Sequence, residues 1–354
     1  MIKKIKNWQA SCVLLIFVFF FCVTFLHYIG IDALEERNDI QFFADSWTYH
    51  KLASSSNDWL AQDVSVISVG GNFLGPLLIL NLLNQNYYLV LIFNFIVFSW
   101  GVIKISQELK LDSLKLLLII LINPTTISSL ISINKEIISF LFVAYTVSFY
   151  HRRSFLGFMF SLFLAILTRW QLAIFAILVF CFHSPLNPLK NKRRTFIFLT
   201  LLAISLAYYM ANEILAPVIE SFEFSADQHD GSGIWNKLIE LQGTGLYILA
   251  FPLKAAQLLF GLSFNIFGIY DHQVFYNDVV QTLASAASLG LLLLIFLKKN
   301  PTLESNATLA SIIYLAIFSL SPIFTPRYLY PVYIYWAIFY CQKQYNKNTK
   351  KSYN

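Results

Sequence analysis

An all-α integral membrane protein with about ten transmembrane helices is the fold class this sequence predicts. Three observations carry it. Charged residues make up 12% of the chain and hydrophobic residues 57%, with a mean hydropathy of +0.63, whereas a soluble domain carries about 25% charged residues. The apolar residues stand in long runs, several near the ~20 residues that cross ~30 Å of hydrocarbon. The basic residues are also sorted. Eighteen of the 25 lysines and arginines fall in six clusters outside the runs, the pattern of cytoplasmic loops.

The elements follow in order. Lys3, Lys4 and Lys6 precede an apolar run over 11–31. No small-x-small cleavage site follows it, so it reads as an uncleaved first span rather than a removed signal. The other basic clusters are Lys104/Lys110/Lys115, Arg152/Arg153, Lys190/Lys192/Arg193/Arg194, Lys298/Lys299 and the tail Lys343/Lys347/Lys350/Lys351. Placing all six inside gives further spans over 87–106, 113–132, 137–150, 154–168, 171–184, 195–215, 279–297, 306–323 and 327–342, with both termini cytoplasmic. Only Glu108, Asp112 and Glu304 among the acidic residues share the basic loops.

Two apolar stretches would break this alternation if counted as crossings. They are 73–83, and 246–270 with its Pro252 and Lys254. Both read as juxtamembrane or re-entrant helices on the external face. The result is a single domain over 1–354 with two external regions, 32–86 and 216–278. No internal repeat of the transporter kind is visible. Cys12, Cys22, Cys181 and Cys341 have no paired spacing and read as apolar packing residues. The net charge of +6 flanks spans, which points to membrane lipids and away from nucleic acid.

Against this background the external charges stand out. Asp45, in Phe43-Ala-Asp-Ser-Trp-Thr-Tyr-His, precedes a helical pattern that includes Tyr49, Leu52 and Ala53. It serves either as a helix cap or as a carboxylate over a membrane cavity, able to take a proton from a hydroxyl. Pro124 kinks the third span and frees a carbonyl. Beyond it, Asn134-Lys135-Glu136 is either a polar hairpin tip or a functional pair at the external mouth. Arg169, in Thr168-Arg-Trp170, either snorkels to lipid with Trp170 as interface anchor or clamps an anion. Pro322, Pro326 and Pro331 surround Arg327, which Tyr328 and Tyr330 flank. This is either a proline-punctuated aromatic turn or a broken helix end that aims an Arg into a cavity. Asp227/His229/Asp230 and Asp271/His272 read as loop residues rather than metal ligands. No phosphate loop, nucleophile elbow or dinucleotide fingerprint occurs.

In order along the chain, Asp45 with Tyr49 and Ala53, Pro124 with Glu136, and Arg327-Tyr328 with Pro331 resemble the GT-C superfamily of membrane glycosyltransferases. The likeness is to bacterial relatives of protein O-mannosyltransferases and the lipid A aminoarabinose transferase. The chain departs from that pattern where Ser46, rather than a second acid, follows Asp45. Surface-polysaccharide polymerases of the O-antigen and capsule pathways look similar at this level. The resemblance implies an inverting transferase of the bacterial inner membrane with its site on the external face. Its donor would be a polyprenyl (pyro)phosphate-linked sugar and its acceptor a glycan or lipid-linked glycan, with no cofactor or metal. Joined with the readings above, it implies Asp45 and Glu136 as catalytic carboxylates and Arg327 as the phosphate ligand, with Arg169 and Lys135, from their own positions, as further phosphate or substrate ligands. Tyr49, Tyr328 and Trp170 would then stack on sugar. A lipid-linked oligosaccharide flippase or other transporter is the alternative of a different class.

Overall fold

The computed structural model describes residues 2–29, 45–55, 74–211, 232–260, 276–299, 303–320 and 326–342. Among them the chain is helical, with no strand. The helices are α1 (Ile2–Ile29), α2 (Ser46–Ser55), α3 (Leu74–Leu82), α4 (Tyr87–Leu109), α5 (Ser113–Ile122), α6 (Pro124–Ile131), α7 (Lys135–Arg152) and α8 (Phe155–Thr168). There follow α9 (Trp170–His183), α10 (Arg193–Met210), α11 (Ser232–Gly243), α12 (Tyr247–Phe260), α13 (Thr282–Lys299), α14 (Asn306–Phe318) and α15 (Tyr330–Cys341). A π turn, Tyr276–Gln281, leads into α13, and a 3₁₀ turn, Pro326–Leu329, leads into α15.

Among the described residues three stretches are long and apolar enough to cross a membrane: Asn7–Tyr28, Tyr87–Leu109 and Val279–Lys299. The expected third span is not one rod. It is the pair α5 and α6, bent by 87°. The other six expected spans meet helices of 12 to 18 residues, or ~18–27 Å. α3, at nine residues, is too short to cross. The 246–270 stretch is helical as far as Phe260. Residues 261–275 lie outside the described residues, as do 30–44, 56–73 and the lysines of the tail.

The three acids that share the basic loops each have a structural assignment. Asp112 caps α5, accepting from the amides of Leu114 and Lys115, and takes a 2.7 Å hydrogen bond from Asn7. Glu108 is buried and paired with Arg152, with Lys104 at 3.7 Å and the Ser148 hydroxyl at 3.0 Å. Glu304 lies close enough to Arg193 to act on its charge.

The bend at Pro124 is satisfied residue by residue. Proline has no N–H for the carbonyl of Ile120, four residues back. That carbonyl instead accepts the Thr126 hydroxyl at 2.7 Å, and the neighbouring Ile119 carbonyl accepts the Tyr333 hydroxyl at 2.6 Å. At the far end of α6 the Asn94 amide lies 3.0–3.3 Å from the carbonyls of Ser129, Leu130 and Ser132. One side chain of α4 thus serves the carbonyls that a helix end leaves open. Asn134 then caps α7 through the Lys135 amide.

α7 is the buried axis, packed by α4, α8, α9 and α15. α3 reaches this bundle through a close approach. A Cβ on Gly75 would fall 2.2 Å from the Leu167 carbonyl oxygen, in the last turn of α8. Gly75→Ala is therefore expected to push α3 off α8, at a cost of about 1–3 kcal/mol. Thermal unfolding of the purified protein checks this. An unchanged melting temperature would mean that the two helices slide apart freely.

Candidate functional site

Four chain segments converge on one charged cluster. The residue before α2 is Asp45 and the first turn of α2 supplies Tyr49, and the start of α7 supplies Lys135 and Glu136. The break between α8 and α9 supplies Arg169, and the 3₁₀ turn before α15 supplies Arg327 and Tyr328. The Asp45 backbone carbonyl accepts from the Tyr49 amide at 3.0 Å, so the residue opens the helix. Its carboxylate meanwhile meets Arg327 Nη2 at 2.9 Å and the Tyr49 hydroxyl at 3.3 Å. The two sequence readings of Asp45 are compatible: the backbone starts a helix and the side chain faces a cation.

Arg169 sits where the backbone turns extended, at φ −160° and ψ 126°, between two 14-residue helices. Its Nη2 lies 3.4 Å from Glu136 Oε1, and the two side chains are 8% and 3% exposed. Glu136 Oε2 is buried with no hydrogen-bond partner. Lys135 is buried as well, its ammonium 5.7 Å from the centre of the Tyr49 ring. The hairpin-tip reading of Lys135 and Glu136 supposes a solvated pair, and neither side chain is solvated. Tyr328 joins the arginines: the Arg169 guanidinium lies 3.8 Å and that of Arg327 5.4 Å from its ring centre. The Tyr328 carbonyl accepts the Tyr314 hydroxyl at 2.6 Å, which holds the turn against α14.

Three cations thus face two carboxylates. Burial by itself raises the Asp45 carboxyl, but Arg327, Lys135 and Arg169 outweigh it and hold that group below its ordinary value. Asp45 is ionised at neutral pH. For a carboxyl lowered by folding, the stabilisation is complete above the unfolded value of about 3.9 and is lost as pH falls through the folded one. The stability advantage of the wild type over Asp45→Asn should hold constant above about pH 5 and narrow progressively as pH falls below about 4. Melting curves of both proteins from pH 3 to 6 check this. A gap that does not narrow between about pH 5 and pH 3 would assign the difference to packing.

Trp170 does not join the cluster. It is exposed at the start of α9, with no hydrogen bond or ring contact to the other candidates among the described residues. Asp227, His229, Asp230, Asp271 and His272 lie outside the described residues. Among the described residues no three of His, Cys, Asp and Glu stand together as a metal site.

Sequence reasoning missed Asn94, Tyr314 and Gln242. The Gln242 amide donates to the Leu320 carbonyl at 3.0 Å and its oxygen accepts from the buried Lys254. Their common signal is a lone polar group in an apolar helix, which has to find a partner. Ser46 and His50, on the next face of α2, were also missed. No family model, no curated protein and no solved structure matches this chain.

Proposed function

We propose that this protein is a bacterial inner-membrane glycosyltransferase. It would take a sugar or oligosaccharide from a polyprenyl (pyro)phosphate carrier and act on the external face. The observation that carries the reading is the convergence of Arg327, Arg169 and Lys135 on Asp45 and Glu136, at the ends of short helices. With the basic clusters inside, α8 and α9 rise only ~21 Å from them and α7 ~27 Å. The cluster would then lie within the outer leaflet, below the edge of a ~30 Å hydrocarbon layer. A carrier phosphate anchored by its own lipid tail would reach that depth. The outer faces of α1, α8 and α13 suit lipid contact: Phe17, Phe20, Phe155, Leu156, Phe163 and Leu297 are all exposed.

The ion pairs suggest an order of events. A phosphate that takes Arg327 draws away the cation nearest Asp45. The carboxylate is then a stronger base than in the resting pair. The acceptor hydroxyl would give its proton to Asp45 as its oxygen bonds to the anomeric carbon. The bond from that carbon to the phosphate oxygen breaks, and the electron pair leaves with the phosphate. The growing charge falls on Arg327 and Arg169, fixed donors in a site partly closed to water. Glu136 holds Arg169 in place. A repeat-unit polymerase would use the same chemistry with a larger acceptor.

One observation favours a transporter as the second reading. α5 and α6 form a broken pair at membrane depth, of the kind that lines transport sites. Two measurements separate the readings. Purified protein in nanodiscs should release polyprenyl phosphate from a lipid-linked donor. Single cysteines at Ser54 and Gln85, on a background without the four native ones, should react with an impermeant thiol reagent from outside. Those at Lys110 and Lys190 should not. Reversed labelling would invert the topology. Vesicle transport of the donor without cleavage would replace the transferase.

A further inference from the structure

α2 carries two polar pairs at helical spacing. Asp45 and Tyr49 are taken up by the ionic cluster. Ser46 and His50, one residue on, lie on the adjacent face, about 100° around the helix. Both are buried: Ser46 is 2% and His50 5% exposed. Among the described residues neither finds a partner: Ser46 Oγ and His50 Nε2 are both buried without a hydrogen bond. The His50 ring stacks on Tyr87 at 4.2 Å between centres, with 22° between the planes, which fixes its orientation against the start of α4. Burial pushes the imidazole down to about 4, so the ring is neutral and offers an acceptor nitrogen.

Buried polar atoms without partners are rare, and each costs about 1–3 kcal/mol. Two of them one turn apart, beside a charged cluster, can both be satisfied by one ligand group. The pair is complementary to one functional group. A serine hydroxyl donates, a neutral imidazole nitrogen accepts, and an incoming hydroxyl can do the reverse of each. With the proton on Nδ1, a fully ionised phosphate has nothing to donate to Nε2. A cation finds no carboxylate within α2 itself, whose ten residues include no Asp or Glu.

We propose that Ser46 and His50 form a hydroxyl-binding subsite that holds a sugar of the acceptor beside Asp45. This rests on the transferase reading above and adds to it the place where the acceptor docks. The hydroxyl bound at Ser46 and His50 is a neighbour of the reacting one, because Asp45 faces Arg327 from the adjoining side of the same turn. Sugar recognition by a pair of neutral groups would leave the charged cluster to the donor phosphate.

The test uses the full-length protein in nanodiscs and two probes. Undecaprenyl phosphate reports on the ionic cluster. A panel of methyl glycosides, followed by saturation-transfer NMR, reports on the subsite. The wild type should bind the lipid and at least one glycoside. Ser46→Ala/His50→Phe should keep the lipid and lose on the order of tenfold in glycoside affinity. His50→Gln, which keeps an acceptor near the position of Nε2, should retain most of it. Unchanged glycoside binding in the double variant would overturn the proposal, as would a wild type that binds the lipid but no glycoside. If the double variant does not fold, Ser46→Ala removes the donor at almost constant volume, and wild-type glycoside affinity there overturns the subsite equally. A wild type that fails to bind undecaprenyl phosphate would overturn the transferase reading and the subsite with it. That result shows without any change at Ser46 or His50.

Discussion

Arg169→Ala is expected to cost about 3–5 kcal/mol of folding free energy, the largest stability loss of any single change at the cluster. Its partner Glu136 is 3% exposed and already has one oxygen without a hydrogen bond. Removing the guanidinium leaves a buried carboxylate without its paired cation, with only the longer-range charge of Lys135 acting on it, which is worse than having no pair at all. The loss is a large part of the 5–15 kcal/mol that holds an ordinary domain together. Arg169→Ala should therefore lower the yield of folded protein, and activity alone would be a poor readout. Adding Glu136→Gln removes the stranded charge and should recover much of the stability, a positive coupling in a double-mutant cycle. Arg169→Lys should lie between, since an ammonium keeps the charge but not the flat stacking on Tyr328. The measurement is detergent-solubilised unfolding of the four proteins in the cycle. A cost below about 1 kcal/mol for Arg169→Ala would mean that the pair is solvated and worth no more than a surface bridge.

Legibility in the sequence followed the rarity of each signal. Asp45 and Arg327 are 282 residues apart, yet they meet at 2.9 Å. Both were visible because lone charges in an apolar chain have few bland explanations. The helical class and the kink at Pro124 were visible for similar reasons: composition and a missing N–H leave little freedom. The partnership of Arg169 with Glu136 was not visible. A lone arginine at the end of a short helix reads equally well as a lipid anchor, and only the packing of α8 against α7 decides. Asn94 could not be assigned either. The carbonyls it serves belong to α6, whose 87° turn depends on Pro124 and on Tyr333 of α15 together. Ser46 and His50 were hidden because their significance is the lack of a partner, which no sequence shows. Trp170, exposed as an interface anchor would be, shows the limit of adjacency. Adjacency to Arg169 suggested a shared site, but successive residues at a helix start point different ways, and only the arginine turns inward.

Arg327→Ala should behave in the reverse manner to Arg169→Ala: a small cost in stability and a large one in turnover. Its pair is part-open, with Arg327 12% and Asp45 33% exposed at the side chain. Solvent screens such a pair, so its loss costs on the order of 1 kcal/mol. Catalysis asks more of it. If Arg327 stabilises the departing phosphate, it acts where charge grows in the transition state, and losing one such contact costs ~3 kcal/mol, about a hundredfold in rate. Arg327→Lys should fall between, since it keeps the charge and loses the two-pronged geometry that fits phosphate. Release of polyprenyl phosphate from a lipid-linked donor, by protein in nanodiscs, measures this once melting temperatures confirm that each variant is folded. Near-wild-type turnover in Arg327→Ala would remove Arg327 from the reaction and leave Arg169 as the phosphate ligand. That case is read with Arg169→Ala in the Glu136→Gln background, where folding no longer masks the rate. Wild-type turnover there, and again with both arginines replaced, would sink the phosphate clamp. The three cations around Asp45 would then be a structural lock between α2 and the bundle. The broken helix pair α5 and α6 would become the better guide to what this protein does.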